Sequence, residues 1–277
     1  MVARAFHESG FHLGQRESLM PANAGNPAGY FENLDVYRAN EAILVQLGGS
    51  WFDPPSVARQ LLVAEQVTPG IREFLRNLVA DGGTAPVALK EPRIGVLLSI
   101  WWPVLRDTLH PVLVVRNPEE VAHSLLARDG TPLEHGLAMW ELHTTAILKA
   151  LAGREATVAH HKRMVEEPAQ AVALVASATT RLSPALAEEV VADGAVRAVE
   201  RALYRSHRKV REPGSRLSPS QARLWDLLAG LPSGNARIHV ERRLRSPSAA
   251  AVSAVKRETS RRRALLNAAS GLGAPRI

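Results

Sequence analysis

Short apolar runs alternate with longer amphipathic stretches over the first two thirds of the chain. The runs at 86–89 and 111–115 are each preceded by a break and followed by charged or turn residues, which predicts two buried parallel strands. A weaker third strand is predicted at 156–159. The almost continuously apolar stretch at 94–105 predicts a buried crossover helix between the first two strands. Strands that alternate with helices indicate an α/β fold with a parallel sheet.

Amphipathic helices are predicted on both sides of these strands. Apolar residues at helical spacing cover 34–47, and this pattern ends at two glycines. The stripe at 68–79 has Thr68 as its N-cap and Pro69 at its first helical position. Further helical patterns cover 1–10, 118–127, 132–151, 168–178 and 184–191. After residue 195 the pattern is helical or irregular.

Charge divides the chain into two unlike parts. Residues 1–196 hold 16 Lys and Arg against 22 Asp and Glu, a net charge of −6, whereas residues 197–277 hold 18 against 5, a net charge of +13. We expect an α/β domain at 1–230 and a basic Ala/Ser/Arg-rich tail at 231–277 that is helical or disordered. No aromatic residue follows Trp225, so the tail lacks the base-stacking half of a single-strand site, which argues against nucleic acid as a partner.

Composition excludes several kinds of chemistry. The chain has no cysteine, which excludes disulfides, thiolate metal sites and a cysteine nucleophile. Its apolar stretches are shorter than the ~20 residues that a membrane span requires, and its first residues do not resemble a signal peptide. We therefore expect a cytoplasmic protein with no membrane span. The histidines, including the pair His160-His161, show no ligand spacing, so we expect no metal.

Charged residues follow the first two predicted strands. Lys90 and Arg93 come after the first strand, and Arg116 comes after the second. Ligands of open α/β sheets collect at the carboxyl ends of the strands, and the helix predicted from Pro118 adds unpaired N–H groups there. An arginine clamp with the hydroxyl of Ser124 would make a phosphate site. A surface cluster of salt bridges is an equal alternative.

Residues 26–33 read Asn-Pro-Ala-Gly-Tyr-Phe-Glu-Asn and place two aromatic rings beside a carboxylate at a loop-to-helix junction. Apolar surroundings make Glu32 a candidate general base. From these residues alone the favoured alternative is a carboxylate that satisfies the N-terminus of the following helix.

Four segments occur in a characteristic order. They are Asn-Pro-x-Gly-Tyr-Phe-Glu at 26–32, Leu-Gly-x-x-Trp at 47–51, Lys-Glu-Pro-Arg at 90–93, and Val-Val-Arg-Asn-Pro-x-x-Val-Ala-x-Ser-Leu at 114–125. In this order they resemble bacterial sulfotransferases that use 3′-phosphoadenosine 5′-phosphosulfate, over about residues 1–230. The resemblance implies a P-loop-type parallel sheet flanked by helices, with a helical C-terminal part. It also implies transfer of a sulfuryl group to a hydroxyl or amine, and we expect a hydroxyl-bearing carbohydrate or natural product as the acceptor.

The resemblance also implies roles for individual residues. Arg116 and Ser124 would bind the 3′-phosphate of the donor, because their eight-residue spacing is that of the family. Lys90 and Arg93 match a segment at the rim of the active site, where we expect Lys90 to be catalytic and Arg93 to contact the donor. Glu32 stands where a base that deprotonates the acceptor is expected. A basic segment late in the chain, 205–211 with Arg208, would help to hold the donor, with a solvated helix end as the equal alternative.

The chain departs from the family pattern at its first residues. The family opens with a strand and a loop of the type Arg-Ser-Gly-Thr-Ser, whose N–H groups cradle the 5′-phosphosulfate. Here the first predicted helix begins at Met1, so we expect an N-terminally incomplete sheet and severely reduced activity. The alternatives are a degenerate nucleotide-binding or interaction protein with a basic tail, and another P-loop nucleotide enzyme such as a kinase.

Overall fold

The computed structural model describes residues 1–22, 26, 29–54, 60, 64–105, 109–182, 216–244 and 246–271. Helices dominate, and they are α1 Val2–Glu8, α2 Leu34–Gln46, α3 Ala64–Gly82, α4 Pro92–Val96, α5 Leu98–Leu105, α6 Pro118–Asp129, α7 Leu133–Leu151, α8 His161–Glu166, α9 Ala169–Leu182, α10 Pro219–Ala229 and α11 Ala249–Gly271. The strands are β1 Val112–Val115, β2 Glu155–His160 and β3 Gly234–Arg237. The fold is thus mixed α/β, mostly helical, with a small sheet.

The described sheet has three strands in the order β1, β2, β3. β1 and β2 pair in parallel, with Val112 opposite Thr157, which confirms the strands predicted at 111–115 and 156–159. β3 pairs antiparallel with β2, with Glu155 opposite Arg237, so the sheet is mixed where the sequence predicts a parallel one. β3 was not predicted, because its sequence Gly-Asn-Ala-Arg contains neither β-branched nor aromatic residues.

The strand predicted at 86–89 is reduced to a single parallel bridge between His12 and Val87. The His12 N–H donates to the carbonyl of Pro86 at 2.8 Å, and the Ala88 N–H donates to the carbonyl of His12 at 2.9 Å. Pairing stops there because the partner segment is confined between Gly10 and Gly14, whose φ angles of 94° and 121° turn the chain.

Two helix predictions also need correction. α3 begins at Ala64, so Thr68 is an interior residue whose hydroxyl donates to the carbonyl of Ala64 at 2.6 Å, and Pro69 lies inside the helix. The crossover predicted at 94–105 is two helices, α4 and α5, which are separated at Leu97. The helix predicted at 184–191 lies outside the described residues.

Helix α7 lies at the centre of the packing and contacts α4, α5, α6, α10 and α11. Its Leu148 and Leu151 are buried with Trp101 of α5 and Leu113 of β1 in the largest hydrophobic cluster. A helix that is apolar on most of its circumference needs such partners on several sides. This packing fixes the crossover helices and the strand ends to a common core.

Residues 231–271, predicted as a basic tail, contribute β3 and α11 to the fold. On α11, Ala251, Ala254 and Val255 pack in one cluster with Met139 of α7. The N–H of Ser248 donates to a carboxylate oxygen of Glu141 at 2.7 Å, which anchors the start of the helix. Within the part of the chain that the structure describes, no helix combines the length and the apolarity needed to cross a bilayer.

Candidate functional site

A cavity of about 1550 Å³ lies beside β1. Residues of α1, α3, α4 and β1 line it, together with Tyr30, Phe31 and the segment 87–91. The wall is largely aliphatic. Four cationic side chains line it, and they are Arg72, Arg76, Lys90 and Arg116, whereas Glu91 is the one described carboxylate in the lining. An apolar cavity with a few convergent charged groups is the usual form of a small-molecule site.

The structure brings Glu32 and Lys90 together, and of the two only Lys90 is among the described residues that line the cavity. The Lys90 ammonium donates to a carboxylate oxygen of Glu32, across 58 positions of sequence. The Glu32 side chain is only 8% exposed, whereas that of Lys90 is 38% exposed and lines the cavity. The two residues predicted as catalytic therefore form one unit, in which the carboxylate is the buried member.

The backbone around Glu32 is fixed on both sides. Phe31 has a φ of 55°, in the left-handed region that side-chain-bearing residues seldom adopt, and the carbonyl of Glu32 accepts from the N–H of Met20 at 2.8 Å. Asn33 is the N-cap of α2, because its side chain accepts from the N–H groups of Asp35 and Val36. The alternative that Glu32 caps this helix is therefore wrong, and its carboxylate is available to Lys90.

Arg93 is held by protein groups instead of lining the cavity. Its guanidinium pairs with Glu41 and, at 2.6 Å, with Glu91, and it lies over the rings of Tyr37 at 4.4 Å and Trp51 at 5.5 Å. These contacts leave the Arg93 side chain 13% exposed. Arg93 therefore fixes the segment that carries Lys90.

Glu91 is the buried partner in this cluster. Its carboxylate caps α4 by accepting from the N–H of Arg93 at 3.0 Å, and it also accepts from the amide of Asn40 at 2.6 Å. Burial raises the pKa of Glu91, and the hydrogen bonds and charge of Arg93 only partly oppose that shift. The Lys-Glu-Pro-Arg segment is thus anchored at three of its four side chains, namely those of Lys90, Glu91 and Arg93.

Arg116 precedes the N-cap of α6, and Glu120 and Ser124 follow it on the helix at successive steps of four residues. Arg116 lines the cavity, and its Nε donates to Glu120 at 3.3 Å. Ser124 is exposed, one helical turn beyond Glu120, and is not among the described residues that line the cavity. A phosphate bound by both residues would meet the Glu120 carboxylate.

His161, directly after β2, also lines the cavity. Burial, reinforced by the positive charge of Arg116, lowers the pKa of His161 to about 3. Its imidazole is therefore neutral at physiological pH and adds no charge to the cavity lining beside Arg116. Lys90, Arg116 and His161 follow 86–89, β1 and β2 in turn and line one cavity. The strand-end argument predicts this for Lys90 and Arg116, and also for Arg93, which does not line the cavity.

Arg72 and Arg76 were missed by the sequence reasoning. They lie one turn apart on α3, beside Leu75 and Val79, and all four side chains line the cavity. The signal was present as two arginines at spacing i, i+4 next to apolar residues, but it resembles an ordinary solvated helix face.

Arg208, predicted to hold the donor, lies outside the described residues. Among the residues that are described, no group of three or more His, Asp or Glu side chains could hold a metal ion.

Comparison of the chain with protein-family models, with curated protein sequences and with solved structures finds no match in any of the three.

Proposed function

We propose that the protein is a sulfotransferase that moves a sulfuryl group from 3′-phosphoadenosine 5′-phosphosulfate to a hydroxyl. The observation that carries the proposal is the contact of Glu32 with Lys90 beside a cavity that Arg116 also lines. These three residues come from three separate segments of the motif order that resembles the family. Independent segments that converge on one cavity support a shared site more strongly than any one motif does.

The cavity is chemically suited to such a donor. The donor is a polyanion with an aromatic base, and Lys90 and Arg116 line a cavity whose wall is otherwise largely aliphatic. Arg116 would bind the 3′-phosphate together with Ser124, which lies eight residues later on α6. We also propose that 86–89 and β1 are neighbouring positions of a P-loop-type parallel sheet, because both line the cavity and helices α4 and α5 connect them.

Glu32 would act on the acceptor hydroxyl, and Lys90 would act beside the transferred sulfuryl group. The acceptor oxygen forms a bond to sulfur while the Glu32 carboxylate takes the hydroxyl proton. The bond from sulfur to the 5′-phosphate oxygen breaks, and its electron pair leaves with adenosine 3′,5′-bisphosphate. Lys90 orients Glu32 through the ion pair and supplies positive charge beside the transferred group. The reaction needs no metal in this proposal, and we assign it to the cytoplasm.

Calorimetric titration of the full chain with adenosine 3′,5′-bisphosphate tests the proposal. Arg116→Ala should weaken binding about tenfold, because a phosphate loses a charge-assisted hydrogen bond. The matched control is Arg38→Ala, since Arg38 is 69% exposed and pairs with Asp35 on α2. Equal affinity of the Arg116→Ala protein, with its circular dichroism spectrum unchanged, contradicts the site assignment.

Two further outcomes separate the alternatives. Tighter binding of ATP than of the bisphosphate would indicate a kinase-like nucleotide enzyme. Bisphosphate binding without sulfuryl transfer to any hydroxyl would indicate a nucleotide-binding protein, and its basic segment would then be the part to test for interactions.

A further inference from the structure

One face of α3 forms a wall of the cavity. Arg72, Leu75, Arg76 and Val79 follow the spacing that places side chains on a single helical face, and each lines the cavity. Val79 is 54% exposed although it is a large aliphatic residue. An exposed aliphatic side chain on the same helical face as two cations, inside a cavity, is a surface suited to an amphipathic ligand.

The two arginines on this face of α3 are not neutralised by any carboxylate among the described residues. Neither Arg72 nor Arg76 has an ion pair or a hydrogen-bonded side-chain partner among the described residues, whereas Arg38, Arg116 and Arg257 each pair with a carboxylate. Two guanidinium groups one turn apart repel each other unless an anion lies between them. They offer paired donors that match the planar geometry of a carboxylate or the oxygens of a sulfate.

We propose that the acceptor of this site is a hydroxylated aliphatic acid, with its anionic group bound by Arg72 and Arg76. The identity of the ligand as an acceptor rests on the proposed function. The acid group would contact α3, the aliphatic body would lie along Leu75 and Val79, and the hydroxyl would reach the side that holds Lys90 and Glu32. A neutral sugar would leave both guanidinium groups without an anion, so this proposal narrows the acceptor class to acids.

The test compares ω-hydroxydecanoate with its methyl ester, which has the same chain and hydroxyl but no charge. In calorimetry at low salt, and below the concentration at which the acid self-associates, we expect the acid to bind about fivefold more tightly than the ester, since exposed charge pairs contribute modestly. The preference should shrink as sodium chloride is added, because salt screens exposed charges. Equal binding of acid and ester by the unaltered protein overturns the proposal without any variant.

The double variant Arg72→Gln/Arg76→Gln tests whether the preference for the acid over the ester arises from α3. It should bind acid and ester equally, while the control Arg38→Gln keeps the full preference. Both target residues are exposed, so their replacement leaves the core unchanged. A double variant that retains the preference overturns the assignment.

Titration with adenosine 3′,5′-bisphosphate separates this proposal from the proposed function. In the double variant its affinity should stay within about twofold of the unaltered protein, because Arg116 supplies the phosphate contact. If the bisphosphate fails to bind while the acid preference persists, the sulfotransferase assignment fails and the acid site on α3 stands. If the bisphosphate binds and the acid preference is absent, the acid site fails alone.

Discussion

The buried carboxylate of Glu32 forms an ion pair with the ammonium of Lys90, 58 positions later in the chain. A buried carboxylate is costly unless it is paired, so this contact ties the loop before α2 to the segment before α4. The cluster of Arg93 with Glu91 and Glu41 holds that second segment in place. The candidate site is therefore assembled by charge pairs between segments that are distant in sequence, on a core formed by α7 and the strand ends.

Replacing Glu32 by Gln should abolish the proposed base and keep the shape of the side chain. We expect the rate of sulfuryl transfer to fall by about 10²- to 10⁴-fold, the usual contribution of a positioned general base. Affinity for adenosine 3′,5′-bisphosphate should change less than about twofold, because the bisphosphate carries no acceptor hydroxyl at the transferred group. Single-turnover rates and calorimetry on the same samples measure both quantities.

The matched control is Asp35→Asn, an exposed carboxylate three residues away on α2 that pairs with Arg38. It should leave the rate within about twofold of the unaltered protein. A Glu32→Gln protein that keeps its full rate would remove Glu32 from the chemistry, whatever its affinity for the bisphosphate.

Replacing Glu120 by Gln should strengthen phosphate binding. Glu120 accepts from the Nε of Arg116 and places a negative charge where the proposed 3′-phosphate would bind. Removing that charge should raise the affinity for adenosine 3′,5′-bisphosphate about threefold to tenfold at low salt. Calorimetry at two salt concentrations measures the effect, which should diminish at the higher one.

Glu134→Gln serves as the control, because Glu134 is an exposed carboxylate that pairs with Arg257 away from the cavity. Affinity that is unchanged in Glu120→Gln, or raised equally in both variants, contradicts a phosphate site between Arg116 and Ser124.

Sequence patterns predict the elements that depend on local apolar runs. They identify β1, β2, α2, α6 and α7, since each has a clear period or buried run. They miss β3, because Gly-Asn-Ala-Arg becomes a strand only by pairing with β2. They predict a full strand at 86–89, where the structure has a single bridge. The partner segment between two glycines is too short to extend the pairing beyond Val87.

The candidate site is predictable to a similar degree. The strand-end rule brings Lys90 and Arg116 to one cavity, as the structure has them. The same rule cannot predict that Lys90 lines the cavity while Arg93 does not. Arg93 is held away from the cavity by Glu41, Tyr37 and Trp51, which are distant in sequence. Nor can it find Arg72 and Arg76, which face the cavity through the packing of α3.

Stability should depend on pH through His143. This residue is half-buried, its ring centroid lies 4.2 Å from that of Trp51, and its Nε2–H donates to the carbonyl of Trp51 at 3.0 Å. Burial, together with the nearby charge of Arg93, lowers the pKa of His143 from 6.5 to about 4. The unfolded chain therefore binds more protons than the folded one between these values. The contribution of neutral His143 to the free energy of unfolding is fully present above pH 6.5. The free energy of unfolding should fall by about 3 kcal/mol as the pH approaches 4.

Urea unfolding across this window measures the dependence. His143→Gln keeps a donor for the Trp51 carbonyl but does not titrate, so its stability should fall less steeply with acidification. His239→Gln, at an exposed position, should follow the unaltered protein. Parallel curves for His143→Gln and the unaltered protein would show that other groups cause the acid sensitivity.

The contact between α6 and α7 should be sensitive to a single methyl group. A Cβ added at Gly136 would lie 2.9 Å from the Cα of Ala122, a backbone atom that cannot move without shifting α6. We expect Gly136→Ala to lower the free energy of unfolding by about 1–3 kcal/mol. Because α6 begins directly after Arg116 and Asn117, the shift should also weaken binding of adenosine 3′,5′-bisphosphate. Thermal unfolding and calorimetry measure the two effects.

The matched substitution is Gly70→Ala, at an exposed position of α3 where an added Cβ meets no atom within 4 Å. Alanine loses less conformational freedom than glycine in a helix, so this variant should gain about 0.5–1 kcal/mol. The opposite signs of the two changes separate crowding from helix propensity. If Gly136→Ala is stabilising as well, the two helices are not in the close contact described here, and α6 does not hold Arg116 by that route.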